Sequence, residues 1–300
     1  MSAIRFSLTL SIVIATFAWV GAAQAQTVTR ETRQLIVDGV RREYLLLVPE
    51  ITGTSARPLV LNFHGSGGSP EGQLANSDFE RVVAEFGFVA VLPQGAYTNT
   101  RSSRSWNADM DPAGVDDVGF ARAIIDAVSR DYLIDAARIY STGFSGGARM
   151  TSRLACELSD ILAAVAPVGG VQFGAACNPA RAIPLLTFHG KADRVNHYVP
   201  SEDSAAYWVS GVEESISRWV EVNECGTRAP RAERTSPTVV HRSWTGCADE
   251  VVVEAWIIDD GGHTWPGSPL VRESERLGIT NQDIDATDLI WQFFARYQLP

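Results

Sequence analysis

A chain of 300 residues, 45% hydrophobic and 20% charged, has the composition of a globular protein with a sizeable core, and its length alone leaves open one large α/β domain or two small ones. A formal net charge of −10 with no stripe of Lys and Arg excludes a nucleic-acid partner, because phosphate binding needs clustered cations.

Residues 1–25 read as a secretory signal peptide: Arg5 supplies the positive start, "LTLSIVIATFAWV" the apolar run, and Ala23-Gln24-Ala25 the small-residue end, with cleavage before Gln26. The apolar run is shorter than the roughly 20 residues that cross a bilayer, which argues against a membrane anchor. Next, "RQLIVDGVRREYLLLVP" predicts two antiparallel strands joined at Asp38-Gly39. "RPLVLNFHG" and "FVAVLPQG" are unbroken apolar runs, as strands buried on both faces look, with a helix predicted between them over "NSDFERVVAEFG". A longer amphipathic helix follows in "VDDVGFARAIIDAVSRDYLID", capped by Asp116 or Asp117. "ARIYSTGFS", "LAAVAPVGG", "IPLLTFHG" and "VVVEAWIIDDGG" add four strands, and helices are predicted at "GGARMTSRLACELSD", "VEESISRWVEVNE" and "ATDLIWQFFARYQ". Strands alternating with helices make a mostly parallel sheet covered on both faces, edged by the opening hairpin. With no linker, repeat or low-complexity stretch after residue 26, residues 26–300 are expected to form a single domain.

Export would place Cys156, Cys177, Cys225 and Cys247 in an oxidising compartment. The absence of a C-x-x-C pair argues against zinc, and four cysteines allow three disulfide pairings that the residues do not decide. Pairing of chain neighbours would close two modest loops, each stabilising by ~3 kcal/mol in the chain-entropy view.

The chemistry concentrates at "IYSTGFSGGARM". A buried strand, then Gly143-Phe144-Ser145-Gly146-Gly147, then a helix fits the G-x-S-x-G nucleophile elbow, whose glycines leave room for a sharp turn that lifts the serine hydroxyl out of the sheet. A glycine-rich turn with a capping serine is the plainer reading of the same residues. A serine nucleophile needs a base and an orienting acid, in the chain order Ser, Asp or Glu, His. Of five histidines, His64 and His189 sit in His-Gly pairs at strand ends and are expected to be structural, while His197 and His241 are expected in loops or on the surface. His263, in the loop "DDGGHTWPG" after the last strong strand, is the candidate base, and Asp193, just past the strand "LLTFHG", the candidate acid. Asp259 and Asp260 are read as strand-terminating residues. The backbone N–H groups of Gly146 and of Ser66, in the glycine-rich loop "HGSGGSP", are the candidate oxyanion donors. That loop has no lysine in the P-loop pattern, which disfavours phosphate.

Taken together, "FHGSGG", "SWNADMDPAGVDDVGF", "GFSGGARM", "HGKADRV" and "GGHTWPG" resemble the secreted poly(3-hydroxybutyrate) depolymerase and feruloyl esterase group of α/β-hydrolases, in that group's order over most of residues 55–270. The resemblance implies an α/β-hydrolase fold, ester hydrolysis without metal or organic cofactor, an ester substrate as partner, Ser145 as nucleophile, Asp193 as acid and His263 as base. It also favours a Cys225–Cys247 disulfide. The chain ends with "FFARYQLP" without an appended polymer-gripping domain, so soluble oligomers or aryl esters are expected over crystalline polyester. Trp106 and Trp265, near the substrate and histidine loops, are candidates for an aromatic wall, with packing as the alternative. Fold and triad do not fix the leaving group, so acetyl xylan ester or peptide hydrolysis stays open. A non-catalytic binding protein on this fold would betray itself by a missing triad member, and none is missing.

Overall fold

The computed structural model describes residues 26–50, 54–99, 102–111, 113–226 and 229–300, so the predicted signal peptide lies outside the described residues. Side-chain alternation shows how the centre is built. In strand β3 (Arg57–Phe63), Leu59, Leu61 and Phe63 enter one core and Val60 the other, all fully buried. That is how a strand covered on both faces must look.

In chain order, β1 (Val28–Val37) and β2 (Val40–Pro49) form the opening hairpin, turning through Asp38 and Gly39, both at positive φ. After β3 come α1 (Pro70–Ser77), α2 (Phe79–Phe86), β4 (Val89–Pro93) and a small hairpin of β5 (Tyr97–Asn99) and β6 (Ser102–Ser105). Then follow α3 (Asp117–Asp131), β7 (Ile134–Phe144), α4 (Gly146–Glu157), β8 (Ala164–Val168), β9 (Leu185–Gly190) and α5 (Val212–Val222). The C-terminal part adds β10 (Arg231–Arg234), β11 (Val239–Trp244), β12 (Val253–Ile258), the short pair β13 (Glu273–Ser274) and β14 (Gly278–Ile279), and α6 (Ala286–Phe294).

Ten strands form one sheet in the order β1-β2-β4-β3-β7-β8-β9-β12-β11-β10. From β4 to β12 every neighbouring pair is parallel, and antiparallel ladders extend both edges. One face is covered by Phe120 and Ile124 of α3, Leu154 of α4 and Trp219 of α5. Phe79 and Val82 of α2 with Ile290 and Phe294 of α6 cover the other. This is the α/β-hydrolase arrangement.

Two local departures from the predicted elements, and the choice of Asp116 over Asp117 as the cap of α3, have physical causes. The helix expected over residues 76–87 is two helices, because Asp78 adopts φ 48° between them, and the first starts at Pro70, suited to a first helical position, under a Ser69 cap. Asp116 is the cap of α3, accepting from the Gly119 N–H at 2.8 Å. Asp117 turns inward to a fully buried ion pair with Arg42 at 2.5 Å, and removing either partner would strand a buried charge. Strand β10 was not predicted: its four residues are all exposed and three are charged, a pattern that protects a sheet edge from further pairing and leaves no apolar run to find.

The disulfides join chain neighbours, Cys156 with Cys177 and Cys225 with Cys247. The first staples the end of α4 to the loop after β8, and the second ties the residues after α5 to the turn between β11 and β12.

Candidate active site

Strand β7 ends against β3, with Gly143 opposite Phe63, so the turn after β7 meets the loop after β3 at the same edge. Ser145 caps α4 with φ 55° and ψ −115°, a conformation costly for any residue but glycine. Space is as tight as the elbow pattern demands. A Cβ on Gly143 would lie 2.7 Å from the Gly147 carbonyl oxygen, and one on Gly147 would overlap the Phe63 carbonyl oxygen and sit 2.6 Å from that of His64. The strain holds because both flanks are anchored: the Ser145 N–H donates to the Val168 oxygen at 2.9 Å, and its carbonyl receives the Arg149 N–H at 3.0 Å.

The structure brings Ser145, His263 and Asp193 into one chain of hydrogen bonds. Ser145 Oγ lies 2.8 Å from His263 Nε2, and His263 Nδ1 lies 2.7 Å from Asp193 Oδ2. A carboxylate can only accept, so Nδ1 carries the proton and Nε2 presents its lone pair to the hydroxyl. Asp193 Oδ1 accepts the Val195 and Asn196 N–H groups, each at 2.8 Å. Burial would raise this carboxyl, but the His263 hydrogen bond, the neighbouring histidines and the Val195 N–H outweigh it and hold Asp193 below the usual carboxylate range.

The other histidines have structural partners. His64 Nε2 accepts the Gly95 N–H at 3.0 Å, which places the proton on Nδ1, where it donates to the Gly65 oxygen at 2.7 Å. Burial pushes His64 down to about 4, so it is neutral at ordinary pH. His189 donates from Nε2 to the Asn196 oxygen at 2.8 Å, is fully buried and is likewise pushed down by burial. His197 lies in a loop with Ser201 and Ser204. His241 is no loop residue: it is on β11, stacked on Trp256 and 3.0 Å from Glu254. Asp259 follows β12 and pairs with Lys191 and Arg234, while Asp260 is near Asn281, so neither carboxylate bonds the His263 ring.

Ser66 lies beside the elbow, its backbone nitrogen 3.0 Å from where a Cβ on Gly146 would sit, and Ser66 Oγ shares a hydrogen bond with Ser105 Oγ at 2.9 Å. Gly146 is the first residue of α4, where a backbone N–H has no acceptor within the helix. The two tryptophans do not form a substrate wall. Trp106 is 3% exposed and donates to the His64 oxygen at 2.7 Å; Trp265 is fully buried and donates to Thr287 Oγ1 at 2.9 Å. Each indole N–H finds its partner in the interior, which draws the ring away from the cleft.

The cleft over Ser145 and His263 encloses about 380 Å³ and is lined also by Gly67, Tyr207, Thr264, Arg272 and Arg276. A second hollow of about 520 Å³ shares Tyr207 and runs over Met110, Arg149, Phe173 and the Cys156–Cys177 pair. Tyr207, Arg272 and Arg276 carry no sequence signal, since they come from irregular or very short segments. Backbone bonds fix the segment after His263: the His263 N–H donates to the Leu277 oxygen at 2.6 Å and the Gly262 N–H to the Ile279 oxygen at 3.0 Å. Among the described residues, no group of three or more His, Cys, Asp or Glu gathers as a metal site, and no helix is long and apolar enough to cross a membrane.

The family model described as "Esterase PHB depolymerase" matches residues 42–212, more than half of the chain. The chain belongs to that esterase family. Membership places it among carboxylic-ester hydrolases, and the matched span holds Ser66, Ser145 and Asp193 while stopping short of His263. A feruloyl esterase B of Piromyces equi is 28% identical over 221 residues, covering 71% of this chain, which spans only 40% of that relative's length. "Probable feruloyl esterase C" of Aspergillus terreus is 29% identical over 261 residues, covering 85% of this chain and 84% of its own. Among solved structures, an acetyl xylan esterase from Aspergillus awamori superposes with a TM-score of 0.63 at 15% identity, over 88% of this chain and 99% of its own, a likeness of fold.

Proposed function

We propose that this protein is a secreted serine esterase acting on soluble or oligomeric carboxylic esters, of the hydroxyalkanoate or feruloyl type, through Ser145, His263 and Asp193. The continuous path from hydroxyl to imidazole to carboxylate, at 2.8 and 2.7 Å, carries this reading. Ser145 Oγ attacks the ester carbonyl as His263 Nε2 takes its proton, and Asp193 steadies the imidazolium that forms. The developing oxyanion meets the N–H groups of Gly146 and Ser66 at the positive end of α4. Collapse of the tetrahedral adduct breaks the ester C–O bond, and the departing alcohol leaves with the proton from His263. Water then repeats the sequence on the acyl-serine, freeing the acid and restoring the hydroxyl.

The family's name and the feruloyl esterase relatives support the two substrate types. The leader-like residues 1–25 and two disulfides support export. The test is hydrolysis of p-nitrophenyl acetate, methyl ferulate and a hydroxybutyrate trimer by the parent and by Ser145→Ala. The variant should fold normally and lose at least about 10⁴-fold in kcat on whichever ester the parent cleaves. Activity within tenfold of the parent would refute the assignment.

A further inference from the structure

We propose that Arg272 and Arg276 form a carboxylate-recognition site in the cleft, so that the preferred substrates are esters bearing an ionised carboxylate near the scissile bond. This rests on the serine-esterase reading above and names the substrate class of that site.

Both arginines line the same cleft as Ser145 and His263. They stand four apart around the short extended pair Glu273–Ser274. Arg272 directly precedes that pair and Arg276 lies in the turn that follows it, and the intervening Glu273, Ser274 and Glu275 are absent from the cleft lining. The segment thus turns its cations toward the site and its anions away. Among the described residues, neither guanidinium has an ion-pair or hydrogen-bond partner, whereas Arg81, Arg149, Arg234 and Arg242 all engage carboxylates.

These cations are also held in place. The Arg272 N–H donates to Thr280 Oγ1 at 3.0 Å and its carbonyl accepts the Thr280 N–H at 3.0 Å, and the Leu277 and Ile279 carbonyls receive the N–H groups of His263 and Gly262. The backbone carrying the arginines is therefore bonded to the backbone carrying the candidate base. Their setting matters because the chain has a net charge of −10, which repels an anion at long range. Two unpaired guanidiniums at the cleft reverse that field where a substrate must settle, and their planar forks match a carboxylate.

A carboxylate can come from either side of the ester. An oligomer of a hydroxy acid carries it on the departing alcohol, and a monoester of a dicarboxylic acid carries it on the acyl group. Two substrate pairs separate these sources: a hydroxybutyrate dimer against its terminal methyl ester, and an aryl hemisuccinate against the aryl methyl succinate. The quantity read is the ratio of kcat/KM for free acid to capped ester. In at least one pair the parent should show a ratio of about ten or more at low salt, falling toward one in roughly 0.5 M NaCl, where charge interactions are screened within a few ångströms. Arg272→Gln/Arg276→Gln should bring the ratio to about one at low salt, with both single variants measured in case the double variant fails to fold. Arg218→Gln/Arg231→Gln removes the same charge from exposed sites away from the cleft lining and should keep the parent ratio. Ratios near one in both pairs for the parent, or a ratio unmoved by the Arg272 and Arg276 variants, overturn the proposal. Failure of the parent to hydrolyse even the capped esters overturns the esterase reading instead.

Discussion

Between Gly143 and Gly147 the chain places its serine within five consecutive residues, by steric means: two positions without a Cβ and a strained Ser145 backbone pinned by β8. Asp193 and His263 reach the same point from 70 positions apart, and what fixes them is hydrogen bonding, with both oxygens of Asp193 engaged. The elbow is a problem of volume and the proposed acid–base pair a problem of charge. Damage to the first should therefore appear in folding, and damage to the second in turnover with the fold intact.

The largest effect is expected at the pair. Asp193→Asn preserves volume but offers an amide to His263 Nδ1, which unsettles the tautomer, and kcat should fall by roughly 10⁴ as in the serine-protease precedent. Circular dichroism should be unchanged; a comparable loss of secondary structure would erase the contrast. In the elbow, Gly147→Ala must displace the Phe63 or His64 carbonyl oxygens. It should lower the unfolding free energy in urea by about 3 kcal/mol, as forced overpacking does. A stable, fully folded Gly147→Ala protein would show that the turn has slack.

Acid titration probes the loop that adjoins both regions. His64 is held near 4 by burial, below its ordinary 6.5. Between those values the unfolded chain takes up a proton that the folded chain refuses. Stability should therefore be full above pH 6.5 and decline as the pH falls toward 4, by about 3 kcal/mol from this residue, with His189 acting in the same direction. His64→Gln should flatten that slope in urea melts across the window, and an unaltered slope would assign it elsewhere. Asp193 is displaced in the same downward direction: its depressed value stabilises above the ordinary carboxylate range, and that stability is lost only in stronger acid. The smallest effect is expected at Asp259, paired with exposed Lys191 and Arg234 rather than with His263. Asp259→Asn should leave kcat within about threefold and stability within about 1 kcal/mol; a collapse of kcat would move the acid from Asp193 to this position.

The same contrast explains what was legible in the sequence. The parallel strands are continuous apolar runs, and the elbow is a local pattern, so both could be read directly. His263 and Asp193 could be named because each follows a recognisable strand, although nothing in the sequence displays the bond between them. Trp106 and Trp265 stay open between substrate wall and packing in the sequence because proximity to a loop says nothing about which way an indole turns, and their inward turn comes from His64 and Thr287, remote in the chain. The arginines of the cleft were invisible for a related reason: β13 and β14 have only two residues each and take their shape from pairing with one another and with the histidine loop. Asp78 split a helix whose apolar spacing was otherwise sound.

The bonds from His263 and Gly262 to the Leu277 and Ile279 carbonyls involve main chain alone, and Gly262 and Gly278 approach so closely that a side chain at Gly262 would strike the opposing backbone. Such a seam makes no direct use of the side chains of the segment, apart from Ser274, whose Oγ accepts the Leu277 N–H at 3.0 Å. Residues 270–277 other than Ser274 should therefore tolerate randomisation in a library without moving the proposed base, His263. New substrate preferences would be reached by exchanging this one short cassette while Gly262 and Gly278 stay in place.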